Sequence, residues 1–149
     1  MLSCKLSERI AAIGSVSGAY LLAWEDCNPA HPVPAILFHG TNDPIVPYQG
    51  GPSRAFNHPF PYIPDWASTL AAHNGCGSLP REITPAGAVT GKTYLNCNQN
   101  AEVTFYTISG GGHSWPGGDP LPPWIVGATT QEIDATRLMW AFFEGHPKP

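Results

Sequence analysis

Two residues that can move protons stand just beyond apolar runs. His113 lies in GGGHSWPGGDP, residues 110–120, directly after the run VTFYTIS, and Asp43 follows the run AILFHG by three residues. An imidazole on such a loop can serve as a general base, ligate a metal or stay solvated. If the two groups meet, the carboxylate accepts from one ring nitrogen, fixes the tautomer and leaves the other nitrogen to take a proton from a nucleophile. His39, Asp43 and His113 are also compatible metal donors by type. They lack any close paired spacing, so neither a metal nor a cofactor is expected. His39 itself, at the end of a buried run, reads as a packed, hydrogen-bonded histidine.

The elements that must position these groups alternate. LSCKLSE reads as the tail of a helix and RIAAIGSVS as a short strand. VPAILFHG is a nearly continuous apolar run, as expected of a parallel strand covered on both faces, and GTNDPIVPYQGG follows it as a loop. In IPDWASTLAAHNGC, Trp66, Ala67, Leu70 and Ala71 share one helical face, with Pro64 near the start and Asn74-Gly75 as the stop. KTYLNC and AEVTFYTIS read as strands. Thr129 and Glu132 have capping-box spacing before IDATRLMWAFFEG, where Ile133, Trp140 and Phe143 form a stripe that Gly145 ends. This order predicts an α/β fold, a parallel sheet flanked by helices. Asp43 and His113 then fall at carboxyl ends of strands, where such sheets place their chemistry.

Composition narrows the class. The chain has 149 residues, 42% hydrophobic and only 12% charged, with a formal net charge of −4. That is one domain's length with no basic patch to track phosphates, so nucleic acid is not an expected partner. No apolar run approaches the roughly 20 residues that span a bilayer, so no membrane partner is expected either. Lys5, Glu8 and Arg9 come too early to leave a signal-peptide core, so this sequence is expected to carry no export signal of its own. The cysteines point the other way. Cys4, Cys27, Cys76 and Cys97 contain no C-x-x-C, which favours two disulfides and an oxidising compartment. Pairing Cys4 with Cys27 and Cys76 with Cys97 closes two local loops, each worth about 3 kcal/mol in the chain-entropy account. The alternative is four small buried thiols.

LSERIAAIGSVSG, PVPAILFHGTNDPIVPYQGG, AAHNGC and YTISGGGHSWPGG resemble the C-terminal half of secreted esterases grouped as polyhydroxybutyrate depolymerases and feruloyl or acetylxylan esterases. The resemblance runs through almost the whole chain, and HGTNDPIVPY with GGGHSWPGG are its specific blocks. It implies that residues 1–149 are part of an α/β-hydrolase catalytic domain, with Asp43 as the triad acid and His113 as the base. It supports the disulfide reading, since the family carries cysteines near these positions. It implies a secreted carboxylic-ester hydrolase acting on a polyester or a plant cell-wall acyl ester, with Trp115 either lining the substrate pocket or packing the loop.

The family's nucleophile lies in a G-x-S-x-G turn upstream of the helix that opens this sequence, and one oxyanion donor follows it. Both are therefore expected to be absent from these 149 residues, which read as a fragment inactive alone. GSVSG at 14–18 has Val16 at its centre. Ser15 and Ser17 are read as the end of a strand, because the nucleophile elbow needs a helix directly after the serine. The competing reading is a noncatalytic carbohydrate- or polymer-binding remnant that uses Trp115, Trp124 and the glycine loops.

Overall fold

The computed structural model describes residues 2–20 and 23–148. A five-stranded sheet runs in the order β1-β2-β5-β4-β3, with β1 at Ile13–Val16, β2 at Ala35–Gly40, β3 at Arg81–Ala86, β4 at Val89–Tyr94 and β5 at Val103–Ile108. Among the described residues four α-helices accompany it: α1 (Leu2–Lys5), α2 (Ile63–His73), α3 (Pro123–Val126) and α4 (Ala135–Gly145). No helix among the described residues is long and apolar enough to cross a membrane.

The sheet is mixed, which corrects the expectation of a parallel one. β1, β2 and β5 are parallel, with Ile13 opposite Ala35 and Ala35 opposite Val103. β4 runs antiparallel to both β5 and β3. Connection length decides this. The path from β2 to β5 is long enough to return through α2, whereas only Gly87 and Ala88 separate β3 from β4, and a link that short can make only a hairpin. Gly87 has φ +41°, the left-handed backbone that such a turn requires. β3 has no counterpart among the strands expected from sequence. β4 covers Val89–Tyr94 rather than 92–97.

All six residues of β2 are buried, as an apolar run covered on both faces should be. On one side α2 packs Ile63, Trp66, Ala67, Leu70 and Ala71 against Leu37, Val103 and Phe105. On the other, α4 packs Ala135, Met139 and Phe142 against Ile36, Phe38, Tyr106 and Ile108. Each large apolar side chain so covered is worth about 1.5–3 kcal/mol. Gly14 lets α4 come close, since a Cβ there would sit 2.6 Å from Met139 Sδ.

The phase of α4 differs from the expected stripe. Its N-cap is Asp134, whose carboxylate accepts from the Arg137 amide. The buried face therefore runs through 135, 139 and 142, and Trp140 turns outward, 66% exposed. The Thr129–Glu132 capping box does not form. Glu132 instead accepts the Ala88 N–H at 2.8 Å, tying this loop to the β3–β4 turn.

Two disulfides, Cys4–Cys27 and Cys76–Cys97, join residues whose Cα atoms are 4.8 and 3.7 Å apart. The first fastens α1 to the turn at Trp24–Asp26. The second fastens the end of α2 to the segment leaving β4.

Candidate active site

The parallel strands β2 and β5 end side by side, and their loops are stitched together. The Thr41 N–H donates to the Ile108 carbonyl and the Asn42 N–H to the Gly111 carbonyl, each at 2.9 Å. The Gly110 N–H donates to Thr41 Oγ1 at 2.8 Å. Gly40 permits this approach, because a Cβ there would lie 2.2 Å from the Gly111 carbonyl oxygen. A second close approach supports the histidine loop from behind. The His113 and Gly112 amides donate to the carbonyls of Val126 and Ala128, and a Cβ on Gly112 would lie 2.1 Å from the Val126 oxygen.

This scaffold brings Asp43 and His113 together. Asp43 Oδ1 accepts the amides of Ile45 and Val46, both at 2.8 Å, which fixes the carboxylate against its own turn. Oδ2 faces His113 Nδ1 at 2.9 Å. The Asp43 side chain is fully buried, whereas the His113 ring is about one-third exposed. Burial alone would push the Asp43 carboxyl up, but the donors from His113, Val46 and Ile45 outweigh it and hold the group below its ordinary value. An ionised carboxylate only accepts, so Nδ1 is the donor, and in the neutral ring Nε2 presents a lone pair. That is the tautomer a general base needs.

His39 lies beneath the pair. Its Nε2 stands 2.9 Å from the Val46 carbonyl and 3.5 Å from Asp43 Oδ2. Both neighbours are acceptors, so this nitrogen carries a proton. Burial is the main influence on the ring and lowers its pKa, keeping it neutral against the opposing pulls of the Val46 carbonyl and Asp43. His39, Asp43 and His113 thus do meet, yet the nitrogens facing Asp43 are committed as donors and offer it no metal-binding lone pairs.

Trp115 is 46% exposed, and its indole N–H donates to Thr136 Oγ1 on α4 at 2.9 Å, so the ring is tethered to that helix. Ser17 is nearly buried at the end of β1, where its N–H donates to the Phe38 carbonyl. Its backbone is left-handed, φ +54°, but Gly18–Tyr20 continue without a helix, so the turn is not a nucleophile elbow. Among the described residues neither Ser15 nor Ser17 hydrogen-bonds His113. The sequence reading missed the supporting groups: Gly40, Thr41 and the amides of Ile45 and Val46. Asn-Asp-Pro after an apolar strand does signal a side-chain-closed turn, but not what the turn would face.

Fold and site together define an α/β protein in which a buried carboxylate holds a part-exposed imidazole at the carboxyl ends of adjacent parallel strands. The chain is similar to esterases. It is 34% identical over 123 residues to "Feruloyl esterase B" of Piromyces equi, covering 74% of this chain and 22% of that protein. It is 30% identical over an alignment of 152 residues to a protein of Nocardia uniformis subsp. tsuyamanensis named as an esterase, NocK, covering 91% and 44%. It is 26% identical over 148 residues to "Probable feruloyl esterase C" of Aspergillus terreus (strain NIH 2624 / FGSC A1156), covering 97% and 44%. The chain thus spans less than half the length of these relatives. No protein-family model matches it.

Proposed function

We propose that this chain supplies the base and the acid of a serine carboxylic-ester hydrolase of the α/β-hydrolase fold. His113 takes the proton from a serine hydroxyl as it attacks the ester carbonyl and returns it to the leaving alcohol, and Asp43 holds the ring and steadies the imidazolium. The observation that carries this reading is the 2.9 Å contact between Asp43 Oδ2 and His113 Nδ1. The similarity to proteins named feruloyl esterase and esterase supports it. In this reading the nucleophile and the oxyanion donors come from residues outside these 149. The two disulfides accord with a secreted protein, and the substrate is a polyester or a plant cell-wall acyl ester.

The test is ester hydrolysis by the longer protein that carries this sequence. His113→Ala is expected to abolish turnover of p-nitrophenyl acetate, and the 149-residue chain alone should hydrolyse none. Unchanged turnover in His113→Ala would remove the triad. Trp124, 83% exposed beside the histidine loop, would then favour the noncatalytic polymer-binding reading.

A further inference from the structure

His39 is a buried titratable side chain to which the proposed chemistry assigns no part. It sits where an apolar residue is due. Ala35, Leu37 and His39 alternate along β2 toward the face covered by α2, and they are 0%, 2% and 2% exposed. Leucine at 39 would complete that row without burying a polar atom. An imidazole so enclosed must direct its polar atoms at partners, so what it adds over leucine is one aimed N–H.

That N–H is aimed at the turn that carries Asp43. Val46 is held at both of its backbone groups: its amide donates to Asp43 Oδ1 at 2.8 Å, and its carbonyl accepts from His39 Nε2 at 2.9 Å. Among the described residues no other donor reaches this carbonyl, and Val46 is buried, so without His39 it would stand unpaired away from water. The same nitrogen lies 3.5 Å from Asp43 Oδ2, the oxygen that faces His113. At that distance it is a dipole beside the carboxylate rather than a second hydrogen bond, and it leaves Oδ2 to His113. The His39 ring is itself boxed in. Thr107 lies opposite His39 on β5, its hydroxyl meets the Tyr48 hydroxyl at 3.0 Å, and the Tyr48 ring closes edge-on against the His39 ring with centroids 6.0 Å apart. A line of contacts thus runs from β5 through Tyr48 and His39 to the turn at 43–46.

We propose that His39 is a positioning residue: its Nε2–H pins the turn at 43–46 and keeps Asp43 Oδ2 aimed at His113 Nδ1. Neutrality is part of this role. Burial keeps the ring uncharged, so the positive charge that Asp43 opposes during turnover is the one that forms on His113. A cation at position 39 would instead take up the carboxylate before the reaction begins. The consequence for rate rests on the reading of His113 as the base of an esterase, whereas the consequence for the His113 tautomer does not.

The experiment reads the imidazole nitrogens of the 149-residue chain by nitrogen-15 NMR through the carbon-bound ring protons, at about pH 8, above the ordinary histidine range. In wild type the proton of His39 is expected on Nε2 and that of His113 on Nδ1. His39→Leu, which fills the row but has no N–H, should shift His113 toward the form protonated on Nε2. His39→Gln, which keeps a donor, should hold it near wild type. In the proposed esterase His39→Leu should lower kcat about tenfold with KM little changed, and His39→Gln should recover most of that loss. A His113 tautomer indifferent to His39→Leu, or moved equally by both substitutions, would overturn the inference, and so would a wild-type His39 with its proton on Nδ1. The wild-type measurement needs no variant, so it tests the inference even where His39→Leu does not fold. Turnover that survives His113→Ala would remove the base, and the tautomer result would still judge His39 by itself.

Discussion

Oδ2 of Asp43 stands 2.9 Å from Nδ1 of His113, although 70 residues separate the two in the chain. Because the carboxylate is also held by two amides of its own turn, it fixes the ring's position as well as its tautomer. Asp43→Asn keeps the shape but offers an N–H to Nδ1, which flips the tautomer and withdraws the lone pair from Nε2. In the proposed esterase, kcat for an ester substrate is expected to fall on the order of 10⁴-fold, as for the equivalent change in a serine-protease triad, with KM little changed. A loss of less than tenfold would mean that His113 is oriented by something else.

Acid should weaken the fold through His39. Its folded pKa is lowered by burial, so in the window between that value and its unfolded value of about 6.5 the unfolded chain binds more protons. Stability is full above that window and is lost as pH falls through it. Asp43, whose folded pKa is depressed, adds its own loss only at lower pH, below the ordinary carboxylate value and down through its folded one. The melting temperature is expected to drop between pH 7.5 and 5.5, and less so in His39→Gln, which keeps a donor for the Val46 carbonyl. A wild-type melting temperature flat over that range would contradict a neutral buried His39.

Gly40→Ala tests the close approach of the two loops. The new methyl would fall 2.2 Å from the Gly111 carbonyl oxygen, which is backbone and cannot turn aside. Overpacking of this kind costs about 1–3 kcal/mol, and here the strain displaces the base. Denaturant unfolding should show the loss, and in the proposed esterase ester hydrolysis should fall with it. Retention of both would show that the loops have slack.

The Cys76–Cys97 disulfide spans 21 residues that include the whole β3–β4 hairpin. Replacing both cysteines by serine is expected to lower stability by about 3 kcal/mol, read from chemical denaturation under oxidising conditions. A reductant should cost wild type more than it costs the double variant, which keeps only Cys4–Cys27, and the difference assigns the loss to this bond.

The cap of α4 gives a sharper comparison. Asp134→Ala should cost about 1 kcal/mol, because the Arg137 amide loses its acceptor. Thr129→Ala should not show that cap penalty, since the Thr129 hydroxyl is buried without a hydrogen-bond partner. Equal losses in thermal melts would restore the Thr129 capping box.

The sequence by itself determined those features that depend on local order. The apolar run at 33–40, the face of α2 and the cysteine spacing each state a structure through neighbours a few residues apart. Asp43 and His113 were legible because each follows an apolar strand, and in a sheet of that kind strand ends gather on one edge. The phase of α4 was not legible in this way. Thr129–Glu132 and Asp134 both offer caps, and only packing against Gly14 and Phe38 chooses between stripes one residue apart. Nor was the hairpin, where REITPAGAVT carries a proline and three small residues that weaken the strand pattern until β5 supplies an edge to pair with. Tertiary structure alone decided that the carboxylate meets the imidazole, and that His39 bridges Tyr48 and the turn at Asp43. Those distances depend on two glycines that let backbones touch and on a parallel pairing between segments far apart in the chain, and neither leaves a local pattern.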